Sequence, residues 1–223
     1  MTGRLVVVTG TGTEIGKTHV TEAILLALGA AGARVAGLKP IESGVADADA
    51  ESDAGRLRRA STFHVKPFGV ALKAPVSPHR AARAEGVALP LGDLVVQVHA
   101  TLAEADFVVV ELAGGLFTPL AETALNADFA ARLRPDVLLL VAPDRLGVLH
   151  DVIATTRAAE AASLGIRGIV LVAPERPDAS SGANAADLAA YTSVPVLATV
   201  PRAAPPVLAA GPSIGLIVAA IRR

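Results

Sequence analysis

The sequence predicts a single-domain, three-layer α/β fold with a mostly parallel central sheet, and three observations carry that expectation. Short runs that are apolar at nearly every position alternate with longer alanine-rich segments, the pattern of strands covered by helices on both faces. The 223 residues, 52% of them apolar, suffice for one full core. No internal repeat or low-complexity linker divides the chain, so one domain over residues 1–223 is expected.

The first strand is the run Leu5–Val8, followed by a glycine-rich turn and a helix over Lys17–Ala31. Gly32 ends that helix and leads into a second buried strand, Val35–Leu38. Residues Glu42–Pro90 show the least regular pattern, which suits functional loops and ordinary surface connections equally. A helix over Leu91–Ala105 then precedes the strand Phe107–Leu112. Ala127–Leu133 reads as a helix, Val137–Val141 as a strand, and Leu149–Leu164 as a helix ended by Gly165. The strands Ile169–Val172 and Val196–Val200 flank a helix over Ala183–Tyr191, and "PRAAPPVLAAGP" reads as a surface crossing.

Composition removes several function classes. With 20 basic against 21 acidic residues and 3% aromatics, the chain has neither a polycationic surface for nucleic-acid phosphates nor aromatics on which bases could stack. It has no cysteine, which excludes disulfides, thiolate metal sites and thiol nucleophiles and suits a reducing compartment. The apolar stretch in "MTGRLVVVTG" is too short for a signal peptide, and no run approaches the roughly 18 residues of a membrane span. A cytoplasmic protein that binds neither nucleic acid nor membrane is expected.

The chemistry begins at "TGTGTEIGKT", Thr9–Thr18. Glycines after a buried strand let successive N–H groups face one centre, and the following helix adds its unpaired donors and positive dipole end. With Gly10, Gly16, Lys17 and Thr18 as its fixed residues, the segment reads as a phosphate loop, so the fold is expected to be of the phosphate-loop NTPase kind. Lys17 would reach the outer phosphates, and the Thr18 hydroxyl would hold Mg2+. Glu111, at the end of the strand in "FVVVELAGG", is the natural second magnesium ligand, because α/β sheets gather ligands at their carboxyl strand ends. Asp53 in "ESDAGRL" reads equally as a helix cap or as a ligand. In "LKPIESG", Lys39 points a second ammonium toward the same crevice, a costly concentration of charge unless an anion sits between the lysines.

These stretches resemble the dethiobiotin synthetase family along nearly the whole chain. "GTGTEIGKT" is similar to its phosphate loop, "KPIESG" to its catalytic lysine segment and "SDAGRL" to its magnesium aspartate segment. "APVSPHRAARAEG" is similar to its substrate-side loop and "ELAGGLFTPL" to its E-G-A-G-G-x-x-T-P-L block. The resemblance implies an ATP-dependent cyclo-ligase of biotin synthesis. One amine of 7,8-diaminononanoate captures CO2 as a carbamate, ATP phosphorylates it, and the neighbouring amine closes the ureido ring of dethiobiotin.

It also implies roles. Lys17 and Lys39 are catalytic, by electrostatics and positioning. Thr18, Asp53 and Glu111 ligate Mg2+, while Thr13, Lys39 and Ser43 meet the substrate. The nucleotide contacts are Gly12, Thr13, Glu14, Ile15, Gly16, Lys17, Thr18 and His19, then Asp53, Glu111, Leu112, Ala113 and Gly114, and on the base side Pro174, Pro201, Arg202 and Ala203. The family is a homodimer with substrate across the interface, its carboxylate held at a helix start of the partner. Here Arg145–Val152 matches loosely, giving Leu146 and Gly147 as substrate-binding positions.

Two departures bear on the base. Pro174 stands where the family has an asparagine, and Leu208 where it has a glutamate, so other nucleoside triphosphates are expected beside ATP. Leu112 replaces the first glycine of the E-G-A-G-G block. His19, His64, His79 and His99 have no metal-ligand spacing. The rival readings are a partition-type ATPase, whose loop needs a lysine where Gly12 stands, and a cobyrinate-type amidoligase, whose ammonia comes from a glutaminase thiol absent here.

Overall fold

In the computed structural model, which describes residues 3–45, 52–66 and 68–223, the six predicted strands are all present. The chain runs from β1 (Arg4–Gly10) through α1 (Lys17–Ala30) to β2 (Val35–Leu38). The stretch without a regular pattern contains β3 (Ile41–Ser43), α2 (Asp53–Arg59), β4 (Val70–Leu72) and α3 (Pro78–Glu85). Next come α4 (Leu91–Leu102), β5 (Phe107–Gly115), the short hairpin β6 (Pro119–Ala121) and β7 (Ala124–Leu125), and α5 (Asn126–Leu133). The remainder is β8 (Val137–Pro143), α6 (Val148–Ala161), β9 (Ile166–Val172), α7 (Asn184–Leu188), β10 (Val196–Val200), α8 (Pro205–Ala209) and α9 (Pro212–Arg222).

The central sheet has the order β10-β9-β8-β1-β5-β2, and every pairing in it is parallel. Alternation of side chains along β1 explains the layers. Leu5 and Val7 face α4 and α5 through Leu94, Val98, Phe129 and Leu133, while Val6 and Val8 face α1 and α9 through Ile24, Leu28 and Ile217. A third cluster packs Val148, Val152 and Leu188 of α6 and α7 on Leu140 and Leu171. Because both faces are covered, no strand needed a polar alternate position, which is why each run reads as continuously apolar. The chain steps from β1 over β5 to β2 and later returns to β8 on the other side, so the connections diverge at the carboxyl end of β1. That divergence opens a crevice where the phosphate-loop segment lies.

Two local expectations need correction. The proline-rich crossing holds α8, whose Leu208 is 4% exposed in the core, and α9 follows it. Pro205 and Pro212 occupy first-turn positions, where a missing N–H costs nothing, so they start helices here. After α6 the left-handed residue is Ser163 (φ 58°), not Gly165. Among the described residues, no helix is long and apolar enough to cross a membrane.

Candidate active site

The turn from β1 into α1 uses left-handed backbone and close approaches that favour glycine. Gly16 caps α1 with φ 91° and ψ 14°, and Glu14 is also left-handed at φ 53°. A Cβ on Gly10 would collide with the Ile15 side chain and come within 3.1 Å of Lys17 Cδ. The spacer from Thr11 to Ile15 has five residues where the common phosphate-loop pattern has four, a correction to the simple motif reading. The loop is tied to its neighbours by Thr11 N–H donating to Val141 O at 3.1 Å and Leu116 N–H donating to Gly10 O at 3.0 Å. Lys17, 5% exposed, curls back and donates from Nζ to Gly12 O at 2.6 Å. Burial lowers its pKa to about 8, against the opposing pull of Glu111.

Lys39 leaves the carboxyl end of β2 and reaches between two carboxylates. Its Nζ donates to Glu111 Oε1 at 2.8 Å and to Asp53 Oδ2. Thr18 Oγ1 donates to the same Glu111 Oε1 at 2.8 Å, while Glu111 Oε2 is buried without a hydrogen-bond partner. Burial alone would depress the Lys39 pKa, but the charges and hydrogen bonds of Glu111 and Asp53 outweigh it and hold the ammonium above its ordinary range. Lys39 is therefore a permanent cation and not a base. Asp53 is the converse: burial would raise its carboxyl, yet the Lys39 charge and hydrogen bond, then Thr18 and Arg56, hold it below the usual range.

Asp53 opens α2 but is not its cap. Ser52 is the N-cap, accepting from Gly55 N–H at 3.0 Å, which frees the Asp53 side chain to face the cleft. Two residues that sequence reasoning missed hold this region together. Glu42, 6% exposed, accepts from Asp53 N–H at 2.8 Å and from Ala54 N–H at 2.9 Å. Asn126, fully buried, donates from Nδ2 to Ala113 O at 2.6 Å and Gly115 O at 2.8 Å, pinning the turn after Glu111. Glu42 lies within the quoted "KPIESG", but nothing in its spacing shows that its partners are backbone N–H groups across a loop. Asn126 gives no signal beyond its place at a helix start.

The cleft, about 710 Å³, brings together most of the expected residues. Thr13 to His19, Lys39, Ser43, Asp53, Glu111, Ala113 and Gly114 line it, joined by Pro75 to Pro78 of the predicted substrate-side loop. The Gly12 carbonyl is held by Lys17, and the Leu112 side chain points into the core at 2% exposure, leaving only its backbone for a ligand. Pro174, Pro201, Arg202 and Ala203 lie beyond β9 and β10, outside this cleft. Near the first of these, Val172 Cγ1 lies 3.0 Å from a Cβ built on Gly16, so the end of β9 packs on the phosphate loop. Leu208 is a core residue and reads no base. Leu146, 81% exposed, and Gly147, the left-handed N-cap of α6, also lie outside this cleft.

A family model described as an AAA domain matches residues 4–206. The ATP-dependent dethiobiotin synthetase of Rhodopirellula baltica is 37% identical, over 92% of this chain and 88% of the relative. That of Anaeromyxobacter dehalogenans is 42% identical, over 87% of this chain and 88% of the relative. The chain belongs to the dethiobiotin synthetase family. Dethiobiotin synthetase resemblance, first carried by short motifs, thus extends over nearly the whole length. Among solved structures, the cell division ATPase MinD of Pyrococcus furiosus superposes with a TM-score of 0.60 at 21% identity, covering 99% of this chain and 97% of that one. Chloroplast FtsY of Physcomitrella patens gives 0.57 at 17% identity, covering 99% and 66%. These two share the fold and nothing finer. The partition-type reading draws only on that fold and is not favoured, since Gly12 stands where its loop needs lysine.

Proposed function

We propose that the chain is an ATP-dependent dethiobiotin synthetase, a cyclo-ligase that makes the ureido ring from 7,8-diaminononanoate and CO2 within one domain over residues 1–223. The observation that carries the residue roles is the convergence of Lys17, Lys39, Thr18, Asp53 and Glu111 on one phosphate-loop cleft. The species formed from CO2 and ATP are anionic: the carbamate, the phosphoryl group passing to it from ATP, and the carbamic-phosphoric anhydride from which the second amine expels phosphate. Lys39, held cationic by two carboxylates, stabilises the carbamate and the migrating phosphoryl charge without donating a proton. Lys17 follows the outer phosphates of ATP, exchanging the Gly12 carbonyl for a phosphate oxygen. Thr13 and Ser43, both lining the cleft, orient the substrate amines; the Ser43 hydroxyl is buried and without a hydrogen-bond partner.

The donor set fits Mg2+. Thr18, Asp53 and Glu111 offer only oxygen, Glu111 Oε2 is buried and unpartnered, and two carboxylates with a hydroxyl suit an ion that keeps waters and phosphate oxygens as its other ligands. When bound, the ion would neutralise phosphate charge. Glu111 and Asp53, which hold Lys39, are also the carboxylates that would hold the ion, so Lys39 stands beside both the metal position and the reacting carbamate.

A homodimer completes the site. Leu146, whose N–H donates to Asp178, and Gly147 do not line the cleft that holds the phosphate loop, and the first turn of α6, capped by no side chain at Gly147, offers donors for the substrate carboxylate of a partner. The proposed setting is the cytoplasm, where ATP and CO2 are both supplied. On the base side, Pro174 has no N–H and no side-chain donor or acceptor, so ATP is used but GTP, CTP and UTP are accepted comparably. The experiment is incubation with diaminononanoate, bicarbonate, Mg2+ and each triphosphate in turn, with mass detection of the cyclic urea. Absence of product with every triphosphate would remove the reaction. A kcat/KM preference for ATP above roughly a hundredfold would remove the relaxed base choice alone.

A further inference from the structure

We propose that Glu42 is a positioning residue that sets Asp53 in the metal-binding arrangement, an inference that rests on the reading of Asp53 as a magnesium ligand. A helix start exposes N–H groups that lack intrahelical partners, and at α2 the acceptors of Asp53, Ala54 and Gly55 N–H are visible, as is the first intrahelical bond from Arg56 N–H. Ser52 serves Gly55 N–H through Oγ at 3.0 Å and Arg56 N–H through its carbonyl at 2.9 Å. The other two, Asp53 N–H and Ala54 N–H, go to the two oxygens of Glu42 at 2.8 and 2.9 Å. The carboxylate of a residue that is 6% exposed is thus engaged with one oxygen on the backbone N–H of Asp53, whose side chain meets Lys39 and Thr18, and with the other on its neighbour Ala54.

Glu42 sits on β3, paired to β4 through Glu42 opposite Ala71, three residues after Lys39. Its carboxylate therefore joins the lysine segment to the start of α2. A charged acceptor at two helix-start donors makes short, strong hydrogen bonds and is favoured by the dipole. Arg56, held by Glu22 at 2.7 Å, braces the far side of Asp53 at 3.9 Å. Loss of the Glu42 clamp would leave the Asp53 side chain intact but free to move with an unpinned helix start. Outer partners of this kind typically tune metal affinity by about 10- to 100-fold.

The test compares Glu42→Gln, Glu42→Asp, Ser52→Ala and Asp53→Asn. Mn2+ affinity in the complex with a non-hydrolysable ATP analogue is read by electron paramagnetic resonance, and turnover is titrated with Mg2+. Glu42→Gln replaces one acceptor with a donor, so Mn2+ affinity should fall about tenfold, with the lost turnover recovered as Mg2+ is raised. Glu42→Asp, too short for both N–H groups, should give a smaller loss and carries the test if Glu42→Gln does not fold. Ser52→Ala disturbs the same helix start without touching the Glu42 bonds and should lower Tm while leaving Mn2+ affinity unchanged. Unchanged Mn2+ affinity in folded Glu42 variants, with Asp53→Asn weakened, overturns the proposal. Unchanged affinity in Asp53→Asn instead overturns the ligand reading on which it rests.

Discussion

Lys39 lies 2.8 Å from a Glu111 oxygen whose residue is wholly buried, so its removal would strand a carboxylate in the protein interior. Breaking such a pair from one side costs about 3–5 kcal/mol. Lys39→Ala is therefore expected to lower the Tm of the free protein markedly and to cut turnover at least tenfold while nucleotide still binds. Added Mg2+ and nucleotide should restore more stability to the variant than to the parent. Turnover preserved at saturating nucleotide would show that Lys39 is only an anchor.

Lys17 behaves in the opposite sense. Its folded pKa of about 8 lies below the unfolded 10.5, so the unfolded chain binds more protons between those values and stability rises with pH across that window. At neutral pH the buried ammonium thus costs the free protein roughly 3 kcal/mol, partly offset by its bond to Gly12 O. Lys17→Met should raise the Tm of the free protein by several degrees and abolish most nucleotide affinity. In the parent, nucleotide binding should take up a proton near and above pH 8, measurable by calorimetry in buffers of different ionisation enthalpy. No buffer dependence there would contradict the lowered pKa.

At the scale of elements, β2 delivers Lys39 because α1 and α2 approach it closely. A Cβ on Gly37 would collide with Leu25 of α1 and lie 2.8 Å from the Leu57 carbonyl of α2. Gly37→Ala should destabilise by about 1–3 kcal/mol and lower Tm by roughly 2–4 °C per kcal/mol. Since the strand carries Lys39 two residues later, turnover should fall with it. A variant as stable as the parent would mean that the helices yield freely there. The helices themselves differ in how visible they were. α1, α4 and α6 are long enough for an apolar period to emerge among alanines, whereas α2 and α8 span 7 and 5 residues and are held by Glu42 and by core contacts of Leu208.

For the whole molecule, the proposed dimer makes two half-sites depend on different subunits. Mixing Lys17→Ala protein with protein altered at Gly147 should regenerate activity in mixed dimers that each contain one intact site, about a quarter of the parent at most if exchange is random. Complete failure of complementation under conditions where subunits exchange would remove the shared site. The parallel order β10-β9-β8-β1-β5-β2 is what places the phosphate loop at the divergence of connections, while the start of α6 lies outside that cleft.

The sequence by itself determined the six strands, since burial on both faces demands continuous apolar runs, and it located Gly16, Lys17, Thr18, Lys39 and Glu111 because strand ends and a glycine turn mark where ligands gather. It could not show that Glu42 spends its carboxylate on the start of α2, that Asn126 pins the turn after Glu111, or that Leu208 belongs to the core. Those facts depend on which segments the crossing connections bring side by side. A buried carboxylate or amide takes its role from the partners that must satisfy it, and only the tertiary structure chose them.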